Sequence, residues 1–146
     1  MSPRERKMSE VLKRGYSDEE LSHLYELGRF FLEAGKFPKA QKIFSGIIAI
    51  APDHLPSYLG LTNIAISNQN FDQARQYAEI ARRLDPSSPL AAMFLATVMF
   101  ALKDLTAVGS LLGEIGDALE GDLNADLSLT RFYKMQLARF QGLITT

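Results

Sequence analysis

Pro52 recurs as Pro86, Ala40 as Ala74 and Phe37 as Phe71, each pair 34 residues apart. A period of that length admits few architectures. Each repeat is one supersecondary unit that cannot bury its apolar face alone and must stack on its neighbours. Gly28 and Ala40 are small where two antiparallel helices would cross, and Phe31 and Phe44 are large enough to fill the gaps beside them. A bulky residue at Ala40 is expected to overpack that crossing at a cost of about 1–3 kcal/mol. Pro52 and Pro86 end helices and restrict the residue before them.

Helix boundaries follow from local chemistry. Ser17-Asp18-Glu19-Glu20 is a capping-box pattern, with Tyr16 and Leu21 where a hydrophobic staple would form. Gly15 suits the end of a preceding helix. Asn68-Gln69-Asn70 is a turn cluster, and Ser88-Pro89 reads as a cap followed by the first helical residue. The sequence predicts a short helix over 4–14, with Met8, Val11 and Leu12 apolar. Pairs follow at 18–34 with 37–50, 54–67 with 71–84, and 89–102 with 105–119, then a last helix over 125–142. Leu129, Phe132, Tyr133, Leu137 and Phe140 form the apolar stripe of that last helix. A repeat stack needs a cap over its final apolar face, and this helix is expected to supply it.

Two such units in one register, with the residue types to match, resemble the tetratricopeptide repeat. The first carries Leu24, Leu27-Gly28, Phe31, Ala40, Phe44 and Pro52 at the signature positions; the second carries Tyr58, Leu61, Ala65, Ala74, Ala81 and Pro86. The second departs at Thr62 and Ala78, where the family prefers a small residue and Phe. The third is degenerate. Leu95, Ala96 and Met99 fit its first helix, but Val108, Leu112, Ile115 and Glu120 replace the expected Ala, Phe, Ala and Pro. Gly109, Gly113 and Gly116 lie inside its second helix, at roughly 1 kcal/mol each relative to Ala. Either something packs closely there or the helix is loose. The resemblance implies an all-α fold, a right-handed superhelix of antiparallel helix pairs with N-terminal and C-terminal capping helices. The expected organisation is an arm over 1–16, repeats over 21–54, 55–88 and 89–122 within 17–122, and a cap over 123–146.

Composition narrows the function. The 146 residues are 47% hydrophobic with a net charge of −1, which suits one folded domain and gives no basic nucleic-acid footprint. The absence of cysteine removes disulfides, thiolate zinc sites and cysteine nucleophiles. The start carries charge with no apolar stretch behind it, so a cytoplasmic protein without a secretory signal is expected. Pro89 to Leu102 is too short to span a bilayer. His23 and His54 are isolated and read as surface residues, and no catalytic or phosphate-binding motif occurs. The acidic tract Glu114, Asp117, Glu120 and Asp122 reads as a solvated face. Neither an enzyme, a cofactor nor a metal is expected.

The first helix of each pair lines the concave side of a repeat stack. The tetratricopeptide resemblance then implies a groove of Tyr25, Arg29, Leu32, Leu59, Asn63, Ile66, Leu90, Met93, Phe94, Thr97 and Phe100. Leu59, Ile66, Met93, Phe94 and Phe100 would be exposed in an empty groove, and such a patch marks a partner site. Three or four anchors at about 1.5–3 kcal/mol each would bind a peptide usefully even after ordering costs. Alternatively the C-terminal helix, the N-terminal segment or a second copy fills the trough. The Lys, Asn and Arg clamp by which some relatives grip acidic chaperone tails is missing, since Tyr25, Arg29, Gly60, Leu90 and Phe94 occupy its positions.

Size and layout are similar to class II chaperones of bacterial type III secretion. The stretches carrying this are Val11–Gly15, Leu24-Tyr25-Glu26-Leu27-Gly28, Gly35–Phe44 and Tyr58-Leu59-Gly60-Leu61. That resemblance implies a secreted translocator or needle subunit as client, held by an apolar peptide or amphipathic helix. Homodimers, or heterodimers with a co-chaperone, are the further associations it implies. The competing expectation is a general scaffold that docks an already soluble partner.

Overall fold

A computed structural model describes residues 15–121 and 126–145. The helix expected over 4–14 lies outside the described residues. Among the described residues there are seven α-helices and no strand: α1 (Asp18–Glu33), α2 (Phe37–Ile50), α3 (Leu55–Ser67), α4 (Phe71–Leu84), α5 (Pro89–Ala101), α6 (Leu105–Glu120) and α7 (Leu127–Thr145). The chain forms two compact units, one ending at Asn70 and one starting at Phe71, so the break falls between the two helices of the second repeat.

The helices begin where their caps lie. Ser17 Oγ accepts from the Glu20 N–H at 3.1 Å, and Glu20 Oε1 accepts from the Ser17 N–H at 3.4 Å, the reciprocal capping box. Leu21 is buried while Tyr16 stays exposed. Ser88 Oγ accepts from the Ala91 N–H, with Pro89 opening α5. Asp104 and Asp126 cap α6 and α7 in the same way.

The period survives where residue identity fades. Gly35, Gln69 and Lys103, each 34 residues after the last, all have positive φ, at 74°, 60° and 62°. Each sits one residue before an amide that reaches back across the helix end: Lys36 to Phe31, Asn70 to Ala65 and Asp104 to Met99, at 2.8, 2.8 and 3.0 Å. This is the Schellman turn, and only the first copy uses the glycine it favours. In the second helices, Ala40, Ala74 and Val108 are fully buried, as are Phe44, Ala78 and Leu112. The third repeat is thus degenerate in residue type and regular in structure.

In the first unit, α1, α2 and α3 pack on one another. Their centre is Phe44, fully buried between two glycines. A Cβ on Gly28 would lie 2.7 Å from Phe44 Cε1, and one on Gly60 would lie 2.6 Å from Phe44 Cε2. Gly28 and Gly60 are therefore small because the ring occupies the space their side chains would take. Thr62, the departure from the family pattern, is fully buried and donates its hydroxyl to the Tyr58 carbonyl at 2.8 Å. Tyr58 donates in turn to the Pro52 carbonyl at 2.9 Å.

In the second unit, α4 packs on α5, α5 on α6, and α7 on both α5 and α6. Ala78, Met93, Leu95, Phe100, Val108, Leu112 and Ile115 form the buried cluster. Leu129, Phe132, Tyr133, Leu137 and Phe140 of α7 pack against it as the apolar stripe predicts. The glycines of α6 make room for α7. A Cβ on Gly109 would lie 2.9 Å from the Phe140 ring, and one on Gly116 would lie 2.5 Å from the Tyr133 hydroxyl, whereas Gly113 faces open space.

Candidate binding surface

Spacing puts three inner positions of each first helix on one face: 25, 29 and 32 on α1; 59, 63 and 66 on α3; 93, 97 and 100 on α5. The two units each carry part of this set.

In the first unit, Tyr25, Leu32 and Ile66 are half-buried, and Arg29 and Asn63 are exposed. Leu59, expected as an open anchor, is buried. Arg29 is engaged on its own helix, 3.3 Å from Glu33 and 3.8 Å from Glu26. These exposed pairs add little to stability, but they neutralise the cation. The surface here is a half-buried aromatic and two aliphatics with a neutralised polar fringe, which suits an apolar ligand better than a carboxylate.

Tyr25 is the best-defined member. Its ring centroid lies 5.7 Å from Phe44 and 5.4 Å from His54. Burial pushes its phenol above the usual tyrosine value; the Arg29 guanidinium opposes this and the Glu26 carboxylate adds to it. His54, expected on the surface, is half-buried at the start of α3, its Nδ1 2.8 Å from the hydroxyl of Ser57. Sequence reasoning missed its packing against Tyr25 because a lone histidine in an inter-repeat turn carries no signal of which ring lies beside it.

In the second unit, Leu90 is exposed, Phe94 and Thr97 are half-buried, and Met93 and Phe100 are buried. The expectation that Met93 and Phe100 lie open is corrected. Met93 belongs to the buried cluster, and Phe100 carries the Arg139 guanidinium 4.7 Å above its ring. Gln136, also on α7, is buried and donates to Thr97 Oγ1 at 3.2 Å. The C-terminal helix therefore closes over two expected groove positions and leaves Leu90 and Phe94 accessible. One signal for this stands in the sequence. Gln136 lies within the stripe of Leu129, Phe132, Tyr133 and Phe140, and a polar residue there calls for a buried partner.

Among the described residues, no group of three or more His, Asp or Glu side chains is placed to hold a metal. No described helix is long and apolar enough to cross a membrane.

Residues 31–97 match the family model described as Tetratricopeptide repeat. No curated protein sequence matches the chain. Among solved structures, the chain is similar to PcrH from Pseudomonas aeruginosa, with a TM-score of 0.78 and 25% identity over 87% of this chain and 96% of that one. It is similar to the Yersinia enterocolitica type III secretion translocator chaperone SycD, with a TM-score of 0.79 and 18% identity over 93% of each chain. It is also similar to PcrH in complex with the chaperone binding region of PopB, with a TM-score of 0.75 and 25% identity over 84% of this chain and 98% of that one. The chain has the tetratricopeptide-like all-α fold, and it resembles the translocator chaperones of type III secretion across most of its length.

Proposed function

We propose that this chain is a non-enzymatic, cytoplasmic chaperone of a type III secretion system, holding an apolar segment of a secreted translocator or needle subunit until export. The observation that carries this reading is the likeness to PcrH, itself solved with the chaperone binding region of PopB, at 25% identity over nearly the whole of that chain. The surface chemistry supports it. Tyr25, Leu32 and Ile66 in the first unit, and Leu90 and Phe94 in the second, offer apolar area beside polar groups able to bond an extended backbone.

The mechanism is capture without a chemical step. Client side chains lose water on these residues, each large one contributing about 1.5–3 kcal/mol. Arg29 and Asn63 set the register of the segment by hydrogen bonding. Leu59 in the first unit, and Met93 and Phe100 in the second, are buried and stay out of reach of the client. Covering the client's apolar segment removes the surface through which it would aggregate.

The test is co-expression with the hydrophobic translocator subunits encoded in the same genome. A chaperone brings into solution a subunit that is insoluble alone. A chain that binds only partners already soluble by themselves is a scaffold, and that outcome would overturn the reading.

A further inference from the structure

We infer that His54, pinned by Ser57, is a positioning residue that fixes the Tyr25 ring so that its phenol hydroxyl can bond a polar group of the bound segment. The inference rests on the client-holding reading and assigns a role that the sequence pattern does not.

Three observations carry it. First, the Tyr25 ring packs against two other rings. Phe44 stands 5.7 Å away at an interplanar angle of 44°, and His54 stands 5.4 Å away at 56°. Phe44 is itself immobilised between Gly28 and Gly60, so one of the two is rigid by packing. Second, the other is rigid by hydrogen bonding. His54 Nδ1 and Ser57 Oγ are 2.8 Å apart, Ser57 is fully buried, and the Ser57 N–H donates to the His54 carbonyl at 3.2 Å. The imidazole is thereby tied at both its backbone and its ring to the first turn of α3. Third, the phenol is half-buried but its tip is not sealed. Among the described residues the Tyr25 hydroxyl has no hydrogen-bond partner, and no buried side-chain polar atom is unpaired, so this hydroxyl reaches solvent. A half-buried ring held by two others, with a free donor and acceptor at its tip, is pre-organised for polar recognition at an otherwise apolar surface.

The experiment uses the full chain and a synthetic peptide of the PopB chaperone binding region, the segment bound by the similar PcrH chain. Tyr25→Phe and His54→Ala are each expected to weaken binding by about tenfold, the loss of one well-placed hydrogen bond. His54→Phe keeps a ring beside Tyr25 but loses the bond to Ser57, so it is expected to recover only part of the loss seen in His54→Ala. The double variant Tyr25→Phe/His54→Ala is expected to match Tyr25→Phe alone, because the two residues act as one. Full affinity in Tyr25→Phe would overturn the role of the hydroxyl. Full affinity in His54→Ala, beside a loss in Tyr25→Phe, would overturn the positioning role.

A second readout needs no client. The ionisation of Tyr25, taken as the ultraviolet difference between each chain and its Tyr25→Phe counterpart, should fall toward the ordinary tyrosine value in His54→Ala and fall less in His54→Phe. An unmoved titration in His54→Ala would overturn the positioning claim. Failure of the unmodified chain to bind the peptide counts against the client-holding reading instead, and leaves the titration to decide the role of His54.

Discussion

Phe44 is clamped by Gly28 on one side and Gly60 on the other, and this sets what the first unit tolerates. Gly60→Ala would ordinarily gain helix propensity, but its new methyl meets a ring that cannot retreat. We expect it to lower stability by about 1–3 kcal/mol in chemical denaturation. Combining it with Phe44→Leu should recover part of that loss, since the same space is then free. Tyr25 gives a second prediction at this scale. Its phenol is raised above the ordinary value, so the folded state favours the neutral form. That contribution is whole below the unfolded value of about 10 and is lost as pH rises through the higher folded value. Stability measured between about pH 9 and 12 should therefore fall less steeply in Tyr25→Phe than in the unmodified chain.

Gly60 was legible in the sequence only as a groove position; its close approach to Phe44 was not, because spacing alone cannot say which ring fills which gap. The opposite holds for Ser17, Glu20, Ser88 and Pro89. Capping is local chemistry, and the structure places these residues as the sequence predicts.

The helix ends tell where evolution of the repeat left strain. Gln69 and Lys103 occupy the left-handed turn that Gly35 occupies in the first repeat. A side chain in that conformation costs roughly 1–2 kcal/mol, part of which glycine returns as unfolded-state entropy. Gln69→Gly and Lys103→Gly should each raise stability by about 0.5–1 kcal/mol, read as a higher denaturation midpoint at unchanged slope. Within α6, the three glycines are not equivalent. Gly113→Ala has open space and should gain up to about 1 kcal/mol from helix propensity. Gly109→Leu would displace the Phe140 ring, and amide exchange in α7 should then accelerate more than exchange in α5. The sequence left two readings of these glycines, close packing or a loose helix. Packing holds for Gly109 and Gly116, because the aromatic stripe of α7 lands on them. The cap itself was legible from that stripe. The covering of Thr97 and Phe100 by Gln136 and Arg139 was not, since it depends on how far long polar side chains reach across to α5.

At the scale of the molecule, the repeat fixes which helix faces are available, and burial decides which residues on them stay accessible. The fold was readable because period, caps and apolar stripes agree along the chain. The proposed site was readable only in part, because positions alike in sequence differ in exposure: Leu59, Met93 and Phe100 are buried, Tyr25 and Phe94 are half-buried, and Asn63 and Leu90 are exposed. Leu59→Glu should therefore unfold the first unit rather than spoil binding alone, as a buried charge costs several kcal/mol. Phe94→Glu, on a half-buried side chain, separates the two effects. The most direct measurement is retention of a co-expressed translocator subunit by the unmodified chain and by Phe94→Glu, with circular dichroism to verify that helicity is equal. We predict a soluble complex with the first and loss of the subunit to the insoluble fraction with the second. Equal retention by both would contradict the proposed surface, and no retention by either would contradict the function.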